Sequence, residues 1–335
     1  MQTLSKSIFL LLILVIITCG IYPLALWIIG QTVFPFQANG SMLADAKGNI
    51  IGSKLIAQPF VGDEYFQPRP SAAYYDASAS ASSSLAASNY ILRDRVARTL
   101  GPIVKYQNGK PVAADIEKWF QQDVFQGNHH IVAEWARLHN SLAQTWVSSD
   151  ASHSTYVDSW GKVHPAVIAQ FIKDNPNTPS PKAADLALVF FQHFSSDNPG
   201  KFPSAVTHAT NGKTLTTIEA VNTGTDIQSL FFDMWRQDHP DAILQDVPGD
   251  LVTTSGSGLD PHITLQNALF QMPRVANYWT IHLKRNPVEM ANEIQQILQE
   301  NAEAPFCGLA GEHMINVLQV NLELQKRYGQ PSTKT

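Results

Sequence analysis

The chain has 335 residues, 44% hydrophobic and 15% charged, an ordinary globular balance that allows one large domain or two smaller ones. A formal net charge of −5, with no Lys/Arg-rich run, argues against a nucleic-acid partner. Two cysteines, Cys19 and Cys307, cannot build a disulfide framework, and both are expected to be small buried hydrophobes.

The first element is apolar. No charge lies between Lys6 and Asp45, and Ile8–Ile29 supplies 22 residues. At ~1.5 Å per residue these reach about 33 Å, enough to cross a hydrocarbon core about 30 Å thick. A cleaved signal peptide has a shorter apolar region, of about 7–15 residues. This run instead ends among Tyr22, Trp27 and Phe34, an aromatic belt at the far interface. The expectation is an uncleaved single-pass anchor over 8–29. Lys6 and the terminal amine keep residues 1–7 in the cytoplasm, so the rest of the chain lies outside the inner (cytoplasmic) membrane. Pro23 falls in the last third of the span, where a kink costs little.

Phe36–Ser71 is rich in turns, with Asn39-Gly40 and Gly48-Asn49 as turn pairs. Asn39-Gly40-Ser41 has the form of a glycosylation acceptor, but so close to a membrane it reads as a turn. "IIGSKLIAQPF" reads as a short strand broken by Pro59, and "ASASASSSLAASNY" as a flexible low-complexity loop. A helix follows over Ser88–Gly101, capped by Ser88 or Asn89 and stopped by Gly101.

From Tyr106 to Asp246 the character changes. This block holds five of the seven tryptophans, eight of the eleven histidines, and nine Lys and Arg against fifteen Asp and Glu, so the chain's negative balance lies in it. Helical periods recur in "ADIEKWFQQDVF", "HHIVAEWARLHNSLAQTWV", "VHPAVIAQFIKD" and "AADLALVFFQHF", and "VTHATNGKTLTT" reads as a hairpin around Asn211-Gly212. A mainly helical subdomain over 106–246, with its own core, is expected.

Beyond it lies "VTTSGSGLDPHIT", Val252–Thr264, too polar for a core strand and too specified for a linker. Gly256 and Gly258 are expected to let the backbone turn tightly. Thr253, Thr254, Ser255 and Ser257 can satisfy exposed peptide groups, Asp260 can accept from N–H groups of the turn, and Pro261 stiffens the exit. The product would be a rigid polar knuckle. Next come a helix over Leu265–Lys284, kinked or split at Pro273, and a helix over Asn286–Asn301 with Asn286 as cap, Pro287 in the first position and Glu289 completing a capping box. A strand passing into a helix closes the chain over Gly311–Gln325.

Motifs of catalysis are missing. Gly109-Lys110, Gly161-Lys162 and Gly212-Lys213 each lack the glycine five places earlier that a phosphate loop needs, and no G-x-S-x-G elbow occurs. On one helix His130 and Glu134 would share a face, but His139 would point about 180° away, so a metal site is not expected. Asp238 and Asp241 flank Pro240 in what reads as a solvated loop.

Val252–Thr264 resembles the signature of the C chain of the Kdp potassium-transporting ATPase, a bacterial P-type pump. "YPL" (Tyr22–Leu24), "QANGS" (Gln37–Ser41), "IGSKLIAQPF" (Ile51–Phe60), "YFQPRPSAA" (Tyr65–Ala73), Ser88–Leu92, "QMPRVA" (Gln271–Ala276) and "INVLQVNLEL" (Ile315–Leu324) continue the resemblance in order. It covers residues 1 to about 105 and about 247 to 324. Two departures stand out. "SASSSLAASN" (Ser80–Asn89) replaces a Gly-Gly-Ser-Asn-Leu-type turn, so positive φ should be disfavoured there. The block 106–246 has no counterpart in a typical short member and enters where an exposed loop would tolerate insertion.

The resemblance implies an α+β extracytoplasmic domain, 30–105 with 247–335, behind one transmembrane helix and carrying the mainly helical insertion. It implies a non-catalytic accessory subunit of a high-affinity, ATP-driven potassium importer, whose partners are a potassium-translocating subunit, an ATP-hydrolysing subunit and the bilayer. It also implies a chaperone that raises the hydrolysing subunit's ATP affinity; ATP is thus implied by the family and potassium is the transported ion, while no cofactor of the chain itself can be read. A domain outside the membrane, without a phosphate cradle, fits a stabilising or pore-mouth role better. The residues expected to hold or present the domain are Thr253, Thr254, Ser255, Gly256, Ser257, Gly258, Leu259, Asp260, Pro261, His262 and Arg274, together with Asn39, Gly40, Ser41, Arg69, Pro70, Ser71, Asn316 and Asn321. The competing reading is a membrane-anchored extracytoplasmic enzyme or binding protein that uses 106–246.

Overall fold

The computed structural model describes all residues except 1, 45–47, 126–128, 211–212, 305–307, 310 and 330–335. Its helices and strands begin with α1 (Gln2–Ile16), a wider π-helical turn (Ile17–Ile21), α2 (Tyr22–Val33), α3 (Pro35–Ala38), β1 (Met42–Ala44) and β2 (Ile50–Ser53). Then come α4 (Tyr90–Leu100), α5 (Ala113–Gln121), α6 (Ile131–Leu138), α7 (Asn140–Ser149), α8 (Ala151–Val163), α9 (Pro165–Asp174) and α10 (Ala187–Asp197). A hairpin of β3 (Phe202–Thr210) and β4 (Lys213–Val221) leads to α11 (Thr225–Asp238) and α12 (Gly249–Val252). The chain ends with β5 (His262–Thr264), α13 (Leu265–Leu283), α14 (Pro287–Glu300), β6 (Ala302–Glu303), β7 (Met314–Asn316) and α15 (Val317–Tyr328).

Thr3–Val33 is one helical run, with a mean hydropathy of 2.7 in its most apolar window and no part of that window buried; it is long and apolar enough to cross a membrane. Pro23 has no N–H and its ring crowds the carbonyl four residues back. The chain answers with the wider turn just before it, where the Tyr22 N–H reaches Ile17 O, five residues away. The hydroxyls of Thr18 and Thr32 donate to Leu14 O and Ile28 O, each at 2.7 Å, so neither is left unpaired on the apolar surface. Cys19 is exposed on this helix, not buried as expected, because no other described part of the chain covers its apolar window. Cys307 lies outside the described residues.

The chain divides into two compact units, Met1–Ser84 with Val247–Thr335, and Leu85–Asp246. The first unit's core gathers Trp279 and Val275 of α13, Met290, Ile294 and Ile297 of α14, Val320 and Leu324 of α15, and Phe66. A three-stranded antiparallel sheet in the order β5-β7-β6 adds Ile263 and, opposite it, Ile315 to the same core. α13 runs through Pro273 without being split. α14 starts as expected at Asn286, whose Oδ1 accepts from the Val288 N–H at 2.9 Å.

In the second unit Trp135 of α6 is fully buried, with ring centroids 5.2 Å from Phe191, 5.5 Å from Phe202 and 5.8 Å from Phe231. One indole thus ties α10, β3 and α11 together. α8 and α11 end on a shared pattern, Trp160–His164 and Trp235–His239. In both, the histidine Nδ1 bonds the tryptophan carbonyl at 2.8 Å and the two rings stack 4.8 Å apart. At Trp235 the carbonyl also takes the His239 N–H at 3.0 Å, so there the ring adds a second donor at the helix end. α4, capped by Asn89 as expected, packs on α11 inside this unit: Arg93 pairs with Asp233 at 2.9 Å, and a Cβ on Gly101 would overlap Gln228 O. The structural boundary therefore lies ahead of Tyr106. The turn Asn211-Gly212 lies outside the described residues, while the strands on either side pair in register from Phe202↔Val221 to Thr210↔Lys213.

Candidate functional site

The site is built around Val252–Thr264. Asp250, just ahead of it, takes the Thr264 N–H at 2.7 Å and the Thr264 hydroxyl at 3.1 Å, closing the stretch into a loop. Thr253 Oγ1 donates to Gly249 O at 2.7 Å, and Ser257 Oγ accepts the Leu259 N–H at 3.1 Å. Thr254 instead meets the Ser83 hydroxyl at 2.8 Å. The loop thus answers much of its own backbone demand, as short polar side chains can.

Gly258 has φ +72°, and a Cβ there would stand 2.7 Å from Ala81 O and 3.0 Å from the Ala73 N. A side chain is excluded both by backbone conformation and by space. Gly256 differs from the expectation. Its φ is not in the left-handed region, and a Cβ placed on it would have no neighbour within 4 Å, so the tight turn rests on Gly258 alone. Ser255, Gly258 and Pro261 are buried, while Gly256 and Ser257 are exposed at the tip.

Three segments brace the loop from outside. Arg69 Nη2 donates to Thr254 O at 3.0 Å and Thr253 Oγ1 at 3.3 Å. Two residues on, beyond Pro70 with its fixed φ, the Ser71 hydroxyl donates to Gly258 O while accepting the Ala73 and Tyr75 N–H groups at 3.1 and 3.0 Å. The Ala57 N–H reaches Leu259 O at 2.8 Å. The serine-rich run, read from sequence as a flexible loop, is the third brace: Ala81 N–H and Ser80 Oγ both donate to Ser257 O, at 2.9 and 3.2 Å. A positive φ does occur in that run, at Ser84, 47°.

At the loop's exit Asp260 Oδ1 accepts the His262 N–H and meets His262 Nδ1, both at 3.0 Å. These His262 contacts hold the Asp260 carboxyl below the usual carboxylate range against the opposing effect of burial. Pro261 O accepts the Val317 N–H at 3.0 Å. Asn316 Nδ2 donates to Lys54 O at 2.8 Å and lies 3.5 Å from His262 Nε2, and its Oδ1 caps α15 through the Gln319 N–H.

The remaining expected residues serve other segments. Asn321 and Arg274 hold the extended strap before Arg69. Asn321 makes two bonds to Phe66, and Arg274 donates to Gly62 O at 3.0 Å and Tyr65 O at 2.9 Å. Asn39, Gly40 and Ser41 form the turn into β1, with φ +84° at Gly40 and +50° at Ser41, and Gly40 O accepts from Ser53 Oγ at 2.7 Å. Sequence reasoning missed two partners: Asp250, and Gln271, whose carboxamide takes the Gln67 N–H at 2.8 Å and donates to Gln67 O at 3.0 Å. In the second unit, the three residues weighed as metal ligands have separate partners: His130 meets Asp123 at 2.6 Å, Glu134 meets Arg137 at 2.6 Å and His139 meets Asp94 at 3.0 Å.

The family described as "KdpC: K+-transporting ATPase, c chain" matches residues 4–118 and 140–326. A potassium-transporting ATPase KdpC subunit of Pseudomonas aeruginosa (strain PAO1) is 52% identical over 88 residues, 26% of this chain and 48% of that protein. One of Pseudomonas putida (strain W619) is 46% identical over 101 residues, 30% of this chain and 54% of that protein. The chain thus spans about half the length of these relatives. With a KdpC subunit of Caulobacter sp. (strain K31) the similarity is 27% over 309 residues, 92% of this chain and 85% of that protein.

Proposed function

The chain belongs to the family of K+-transporting ATPase c chains, and from that premise we propose that it is a non-catalytic accessory subunit of an ATP-driven potassium pump. Its apolar helix anchors it in the inner membrane with the N-terminus in the cytoplasm, and its folded part stands outside. The partners are a potassium-translocating subunit and an ATP-hydrolysing subunit. Residues 106–246 are an insertion relative to shorter members of the family.

One observation carries this reading: the signature loop is held by three separate segments of its own unit, yet it leaves Gly256 and Ser257 exposed at its tip. A loop fixed this firmly needs no ordering when a partner binds, so little of the contact energy is lost to entropy. It therefore presents a shaped polar surface, which suits a subunit that docks at a pore mouth and stabilises a complex. The catalytic-chaperone role acts, in this proposal, through the hydrolysing partner. The test is extraction of membranes in mild detergent: the chain should leave the column with two larger membrane chains, and Gly256→Glu at the tip should release it from them.

A further inference from the structure

In the second unit a cleft of about 650 Å³ opens between α4, α7 and the start of α11. Arg95 and Arg98 line it from one face of α4, and Trp146 lines it from α7. The other arginines of this unit are occupied. Arg93 pairs with Asp233, Arg137 with Glu134, and Arg236 donates to His239 O and Pro240 O. Among the described residues, Arg95 and Arg98 are the two arginines whose guanidinium groups have no hydrogen-bond or ion-pair partner.

One further donor, the Trp146 indole N–H, is orphaned beside them. Arg95 Nε and Trp146 Nε1 are both closed to solvent without an acceptor, and Trp146 is only 9% exposed. Buried donors of this kind are rare and need an explanation. His153 fixes the indole: its ring stacks on Trp146 at 4.0 Å, and its Nδ1 bonds the Trp146 carbonyl at 2.9 Å. The carboxylate lining the cleft, Asp226, already accepts from Ser204 Oγ. Donors and positive charge thus exceed acceptors, in a unit whose other charges are mostly negative. Leu142 and Leu230 add apolar wall. A second cleft, of about 770 Å³, lacks this imbalance: Gln170 bonds Asp174, Asn175 bonds Phe171 O, and Asp185 takes the Lys182 N–H.

We propose that the Arg95–Arg98–Trp146 cleft binds a small organic anion, with the two guanidinium groups on its carboxylate or phosphate oxygens and its carbon skeleton against the apolar wall. The volume suits a metabolite-sized ligand, and guanidinium forks match both oxyanions. The site is independent of the pump reading.

The test is calorimetry on the full chain in detergent, titrated with citrate as the carboxylate probe and with glycerol 3-phosphate as the phosphate probe, against sodium chloride at equal ionic strength. At least one anion should bind saturably with one site per chain, and the better of the two identifies the group. Arg98→Ala, at an exposed position, should weaken it by about tenfold or more while leaving the ligand-free melting temperature unchanged. Arg95→Ala should do the same if it folds; Arg98→Ala keeps the test decisive if it does not. Heats no larger than those of chloride for both anions, or equal affinity in a folded Arg98→Ala, would overturn the proposal.

Discussion

The side-chain carboxamide of Asn321 accepts the Phe66 N–H and donates to the Phe66 carbonyl, each at 2.9 Å. One side chain of α15 thereby replaces the neighbouring strand that this extended segment lacks, and Gln271 repeats the arrangement at Gln67. Both Asn321 and Phe66 are fully buried, so both of these backbone groups depend on it.

Asn321→Leu should leave the Phe66 N–H and carbonyl unpaired in the core. Each orphaned group costs about 1–3 kcal/mol, so a large drop in denaturant midpoint is expected. Asn321→Asp keeps the acceptor but sets a buried carboxylate oxygen against the Phe66 carbonyl, and should lower the midpoint as well. Unchanged midpoints would show that the strap is held elsewhere.

The two glycines of the signature loop should behave differently. Gly258→Ala forces a Cβ into positive φ against Ala81 O, and should cost about 1–3 kcal/mol. Gly256→Ala meets nothing and should leave the melting temperature within error. Equal effects of the two would remove Gly258 as the pivot.

Asp260 should give stability a pH dependence. Its folded carboxyl is held below the value of the unfolded chain, so the stabilisation is complete above about pH 4. It is lost as pH falls through the folded pKa. Asp260→Asn should therefore be less stable than the natural chain at neutral pH, and the gap should close on acidification. A gap that is constant with pH would contradict the Asp260–His262 interaction.

The absent phosphate loop predicts no saturable ATP binding by the isolated chain below about 1 mM, since a backbone cradle or helix terminus normally supplies that site. Tight, stoichiometric binding by calorimetry would restore direct ATP capture.

Local chemistry made part of this legible. Asn89 and Asn286 announced their helices because a cap is a local event, and the long uncharged run announced α1 and α2. α8 escaped because it buries a single residue, Val157, and so carries little period. α11 holds a readable stripe in Ile227, Phe231 and Trp235, but no capping side chain marks its start at Gly224. The loop's polarity suggested a braced turn, and composition alone assigned the turn to both glycines. What braces it joins residues far apart in sequence, such as Arg69 with Thr254 and Ser80 with Ser257, pairings that no local spacing encodes. The serine-rich run looked featureless for the same reason.

The most direct test of the pump reading is potassium-stimulated ATP hydrolysis by the detergent-extracted complex, prepared with and without this chain. With it, three chains should co-elute and hydrolysis should rise with potassium. Without it, stimulation should be lost, and adding the purified chain back should restore it, whereas Gly256→Glu should not. A chain that elutes alone, with potassium-stimulated hydrolysis unchanged by its removal, would contradict the account.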